Sequence, residues 1–134
     1  MQEIQAGPQN QVAHKTNHDE QRINHLVSVI VNSLEDDKAE DIVVIDLKGK
    51  ASFADQMIIA TGLVDRQIAA MAENLDKALF KEGIKKIAIE GSSDWVLLDI
   101  GDIIVHLFRQ EVREHYNIER IWGVQLEEES TETV

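Results

Sequence analysis

The stretch Trp95-Val96-Leu97-Leu98-Asp99-Ile100-Gly101-Asp102-Ile103-Ile104-Val105-His106-Leu107-Phe108 holds two apolar runs on either side of a glycine and an aspartate. Such a pattern reads as a β-hairpin, with Gly101 supplying the positive φ that a two-residue turn needs. That loop length pairs Ile100 with Ile103, Asp99 with Ile104, Leu98 with Val105 and Leu97 with His106. Side chains alternate along a strand, so the register sorts the hairpin into two faces. Val96, Leu98, Ile100, Ile103, Val105 and Leu107 make one face, wholly aliphatic and assigned to a core. Trp95, Leu97, Asp99, Ile104, His106 and Phe108 make the other. This second face sets an Asp and a His in diagonal reach among aromatics. A buried Asp–His pair is costly unless hydrogen-bonded, so the face invites a functional explanation. Two readings of it stand. Either helices cover it with Trp95 and Phe108 as core, or Trp95 anchors a binding surface, as tryptophan often does at interfaces.

Outward from the hairpin, the chain alternates helix and strand patterns. Ile23, Leu26, Val27, Ile30, Val31 and Leu34 form one helical stripe, with Asn17 and Glu20 spaced as a capping box. Ile42-Val43-Val44-Ile45-Asp46-Leu47 and Met57-Ile58-Ile59-Ala60-Thr61 are apolar on both faces, as strands inside a doubly covered sheet are. Ile68, Met71, Ala72, Leu75 and Leu79 mark a second helix, with Asp65 as the expected N-cap and Gly83 as the expected C-cap. Lys86–Glu90 reads as a further strand, and residues 110–116 as a short helix. The order predicts a single α/β domain with a mixed sheet and flanking helices, over residues 17–123. Residues 1–16, rich in Gln and Asn, read as a disordered tail, and residues 124–134 as an acidic one.

The chain has 134 residues, of which 43% are hydrophobic, enough for one ordinary core. There is no run of about 18 apolar residues to span a membrane, and no basic and apolar leader at the N-terminus. The absence of cysteine excludes thiol catalysis and Cys-based zinc sites, and a cytoplasmic location is expected. Thirteen basic residues against 25 acidic ones give a net charge of −12. That sign opposes direct nucleic-acid recognition and favours a basic protein partner.

No enzymatic motif is complete. The five histidines make no metal site, no serine sits in a Gly-x-Ser-x-Gly elbow, and no Walker-type loop occurs. Gly91-Ser92 with Asp99 and Asp102 has the residue types by which nucleotidyltransferases hold triphosphate and metal. Its Asp-x-x-Asp spacing straddles a tight turn, however, so the two carboxylates should diverge. No catalytic residue, cofactor or metal is assigned.

The segment Glu90–Phe108 resembles the signature of the ribosomal silencing factor (Iojap-like) family. So does the ending with Glu111, Arg113, Tyr116 and Ile118-Glu119-Arg120-Ile121-Trp122-Gly123. Upstream, Asp41–Asp46, Asp55 and Ile58-Ile59-Ala60-Thr61-Gly62 continue the resemblance in order, from about Arg22 to Gly123. Gln56 departs from the hydrophobic residue of the family pattern, and neither tail is explained by it. The resemblance implies a nucleotidyltransferase-like topology stripped of catalytic residues. It also implies a translational repressor that binds the large ribosomal subunit through its basic L-fourteen protein and blocks association with the small subunit. A homodimer is implied as well. The expected partner-binding residues are Trp95, Leu97, Asp99, Asp102, His106, Tyr116 and Trp122. The alternatives are a nucleotidyltransferase-like enzyme and an acidic adaptor for another basic protein.

Overall fold

A computed structural model of the chain describes residues 7–116, with side chains from 20 to 115. Its elements are α1 (Gly7–Asp36), β1 (Glu40–Asp46), β2 (Gln56–Gly62), α2 (Asp65–Lys81), β3 (Ala88–Ser92), β4 (Trp95–Asp99), β5 (Ile103–Arg109) and α3 (Gln110–Tyr116). The strands form one sheet in the order β1-β2-β5-β4-β3. The β2–β5 pair is parallel and the other three are antiparallel. This is the mixed α/β domain expected from the sequence.

The β4–β5 hairpin keeps the expected register, from Trp95 opposite Phe108 to Asp99 opposite Ile104. At its turn, the Ile100 N–H donates to the Ile103 carbonyl at 3.1 Å and Gly101 has φ +98°. The Asp99 carboxylate accepts from the Gly101 N–H at 2.9 Å, which closes the turn with a local side-chain bond.

The two hairpin faces enter two separate cores. Leu98, Ile103, Val105 and Leu107 pack with Ile23, Leu26, Ile30 and Leu34 of α1 and with Ile68, Met71, Leu75 and Leu79 of α2. On the other side, Ile104 and Phe108 pack with Ile45, Met57 and Ile59, beneath Leu47, Ala51 and Ala54 of the β1–β2 connection and Val112 of α3. Both long helices therefore lie on one face of the sheet, and an irregular loop with the short helix α3 covers the other.

Four local expectations need correction. Helix α1 begins at Gly7, so its first turns lie in the stretch read as a tail and Asn17 is mid-helix rather than a cap. Pro8 in the first turn explains the earlier start, since its fixed φ suits that position and the missing N–H has no partner to lose there. Asp65 is the first helical residue of α2 and Val64 is its N-cap, without a side-chain capping bond, while Gln67 accepts from the Leu63 N–H just ahead of the helix at 2.7 Å. The same Gln67 donates to the Asp37 and Lys38 carbonyls, both at 3.0 Å, tying the end of α1 to the start of α2. Finally, β1 is an edge strand, with Val44 44% exposed on the helical face. Its apolar run reflects Val43 and Ile45 facing the second core while Ile42 packs into the first. The segment read as Lys86–Glu90 forms its ladder two residues later, at Ala88–Ser92, because the pairing is set by the tight turn at Ser93-Asp94.

Helix α3 has seven residues, too few to hold in isolation. Arg113 anchors it. Its buried guanidinium donates from Nη1 to the Asp41 carbonyl at 2.6 Å and the Thr61 hydroxyl at 2.7 Å. Asp41 sits in an irregularity of the β1–β2 ladder with φ +50°, and Arg113 closes over it. Truncation would leave buried acceptors without donors, at a cost of about 2–3 kcal/mol. We expect Arg113→Ala to lower unfolding free energy by that amount in urea melts. A loss under 0.5 kcal/mol, on the order of an ordinary surface change, would show that α3 is held otherwise.

Candidate functional site

Trp95 opens β4 and lies directly across from Phe108 near the end of β5. The two rings stack with centroids 6.4 Å apart and planes 18° from parallel. His106, two residues before Phe108 on the same face of β5, stacks on it with centroids 5.4 Å apart and planes 8° from parallel. The Trp95 indole N–H donates to His106 Nδ1 at 3.4 Å, a long bond that fixes the neutral ring with its proton on Nε2. The resulting platform is half sunk in the sheet. Phe108 and His106 are buried, whereas Trp95 keeps one side accessible.

Gly91 makes the position of Trp95 possible. It pairs with Val96 across the β3–β4 turn and has φ +139°. A Cβ there would lie 2.1 Å from the Trp95 carbonyl oxygen. Only glycine fits such an approach. Beside Trp95 opens a cleft of about 270 Å³ lined by Ser92, Asp94, Trp95, Glu111, Val112 and His115. Asp94 and Glu111 make this cleft acidic. Arg109, at the end of β5, bonds Glu111 at 3.2 Å and Asp65 at 3.3 Å and donates its backbone N–H to the Asp94 carbonyl at 3.0 Å. An aromatic wall with carboxylates at its rim suits a lysine or arginine side chain, through ion pairing and cation–π contact.

Of the expected binding residues, the structure brings Trp95, Leu97 and His106 together on one face. Leu97 is half-buried, packed against the second core. The diagonal Asp99–His106 pair does not form, because Asp99 turns to the Gly101 N–H and His106 takes Trp95. Asp102 is exposed beyond the turn, and its backbone carbonyl accepts from the Asp55 and Gln56 N–H groups at 2.8 and 3.1 Å. The Tyr116 side chain and Trp122 lie outside the described residues. Asp94, Glu111, Val112 and His115 were not among the expected binding residues, although Asp94 and Glu111 belong to the segments that carry the family resemblance. Asp94 was legible in principle, as the second turn residue immediately before Trp95.

The nucleotidyltransferase-type constellation is not assembled. Ser92 lies beside Trp95 at one end of β4, with its hydroxyl donating to Asp94 at 3.0 Å, while Asp99 is at the other end. Four residues of strand put roughly 13 Å between those ends. Among the described residues no group of three or more His, Asp or Glu is placed to hold a metal ion.

The model of the family described as ribosomal silencing factor during starvation matches residues 20–134. The chain belongs to that family. The ribosomal silencing factor of Zymomonas mobilis is 51% identical over 100 residues, covering 73% of this chain and 75% of the relative. A crystal structure of a Chromobacterium violaceum protein superposes with a TM-score of 0.73 at 38% identity, over 75% of this chain and 86% of that one. A more distant relative, from mouse, is named mitochondrial assembly of ribosomal large subunit protein 1. It is 29% identical over 102 residues, covering 72% of this chain and 44% of the relative.

Burial lowers the His106 pKa from the usual 6.5 to about 4. The unfolded chain therefore takes up a proton that the folded chain refuses. The stability from neutral His106 is fully present above pH 6.5 and is lost as pH falls from 6.5 toward 4, a change on the order of 3 kcal/mol. His106→Gln, which still offers the Trp95 N–H an acceptor, should flatten that part of the stability–pH profile. An unchanged profile would show that His106 is not the titrating group.

Proposed function

We propose that this silencing factor acts in the cytoplasm as a translational repressor: it docks on the large ribosomal subunit through the basic L-fourteen protein and prevents the small subunit from joining. The observation that carries the reading is the half-exposed Trp95 beside the acidic cleft of Asp94 and Glu111, in a chain of the silencing family. Trp95 is held on a rigid strand by stacking and a hydrogen bond, so little side-chain freedom would be lost on docking. Carboxylates at the rim and a net charge of −12 favour encounter with a basic protein. The large-subunit name of the mouse relative supports the same partner. In this reading the chain works by occupying a surface, so it requires no turnover.

Sedimentation through sucrose gradients tests it. The protein should travel with free large subunits and reduce the yield of joined ribosomes when small subunits are added. Binding should weaken as salt rises, because charge attraction is screened over about 8–10 Å near physiological ionic strength. Trp95→Ala should lower large-subunit affinity by at least about 2 kcal/mol, as loss of an interface anchor does. A folded Trp95→Ala protein that binds and blocks joining like the wild type would move the docking surface elsewhere.

A further inference from the structure

The net charge hides a local reversal. Residues 77–86 read Lys77-Ala78-Leu79-Phe80-Lys81-Glu82-Gly83-Ile84-Lys85-Lys86, four lysines and one glutamate, so ten residues carry +3 while the chain carries −12. Glu82 is engaged by His25 at 2.9 Å and Lys77 by Glu73 at 3.6 Å, whereas Lys81, Lys85 and Lys86 form no ion pair among the described residues. Favourable interaction with the end of a helix accounts for Lys81, in the last turn of α2, but not for Lys85 and Lys86 beyond it. Phe80, 63% exposed, stands beside Lys81 and Lys85 in a cleft of about 450 Å³ that also takes in Asp76 and Lys77, while the exposed Lys86 follows Lys85 along the chain and lines a neighbouring cleft. Exposed lysines around an exposed aromatic ring are what a phosphate backbone with unstacked bases is recognised by.

The position is separate from the Trp95 cleft. Asp65, at the start of α2, is bonded to Arg109 beside that cleft, and Lys81 lies sixteen residues further along the helix, roughly 24 Å away. That distance exceeds two screening lengths at physiological salt, so the carboxylates of the Trp95 cleft are screened from the patch. We propose that Lys81, Lys85, Lys86 and Phe80 form a contact for the phosphate backbone of ribosomal RNA, engaged while the Trp95 cleft holds the protein partner. This rests on the docking reading above, and it replaces the expectation, drawn from net charge, that nucleic acid plays no part.

The sign of one variant decides it. Lys81→Gln/Lys85→Gln/Lys86→Gln makes the chain more acidic. If a basic protein is the sole partner, the variant binds large subunits as well as the wild type or better. If the lysines neutralise RNA phosphates, affinity falls by roughly tenfold or more, and the slope of log affinity against log salt shrinks by about two. Unchanged melting of the variant, checked alongside, assigns the loss to the contact. In parallel, a photoreactive benzoylphenylalanine at position 80 should crosslink to RNA of the bound subunit; crosslinks to protein alone would overturn the proposal. If the wild type fails to bind large subunits, the docking reading fails. The patch is then judged on purified large-subunit RNA at low salt: binding that the triple variant weakens roughly tenfold upholds it, and equal or absent binding overturns it.

Discussion

Strand β5 is paired along both edges, in parallel with β2 over Gln56–Gly62 and antiparallel with β4 over Trp95–Asp99. A slip of one residue in either ladder would carry Ile103, Val105 and Leu107 out of the helical core and His106 and Phe108 out of the other. Both cores would fail together, because every residue from Ile103 to Phe108 is buried. The register is therefore fixed twice, by the Gly101-Asp102 turn on one side and by the hold of the Asp102 carbonyl on Asp55 and Gln56 on the other. Asp102 thus has a structural duty through its backbone that is independent of its carboxylate.

That double constraint explains why the hairpin was the most legible part of the sequence. A turn that demands glycine, flanked by runs of period two, leaves one register, and the faces follow. The stripes of α1 and α2 were equally plain, because each buries one row against one sheet face. What the sequence concealed was set by contacts distant along the chain. Ile42–Leu47 looked interior because its two apolar sets serve two different cores, though the strand itself is an edge. Arg113 gives no local sign that it will reach Asp41 and Thr61. The diagonal placement of Asp99 and His106 was correct, but other hydrogen bonds won: the Gly101 N–H, two residues away, takes Asp99, and the Trp95 indole, on the opposite diagonal, takes His106. Residues of the acidic cleft come from β3, the β3–β4 turn and α3, so no single segment carries their pattern.

Charge teaches the same lesson at a larger scale. A total of −12 describes the molecule only to a probe farther away than a screening length. At contact distance the surface is a mosaic, acidic beside Trp95 and basic around Phe80. Excess acidity can speed approach to a basic partner while a local basic segment fixes orientation, since the two act over different ranges. Two contacts of opposite sign at opposite ends of α2 would also discriminate. A free basic protein could satisfy one and free RNA the other, but only an assembly of both satisfies the pair.

Trp95 sits where stability and recognition meet. Its ring belongs to the second core through Phe108 and to the surface through the cleft, and its N–H is spent on His106 rather than left for a partner. The docking proposed at Trp95 would therefore rely on the shape and π-face of the ring, which favours contact with aliphatic stems and cationic heads of lysine or arginine. The same arrangement keeps His106 neutral and dry, since a protonated ring could no longer accept the indole N–H.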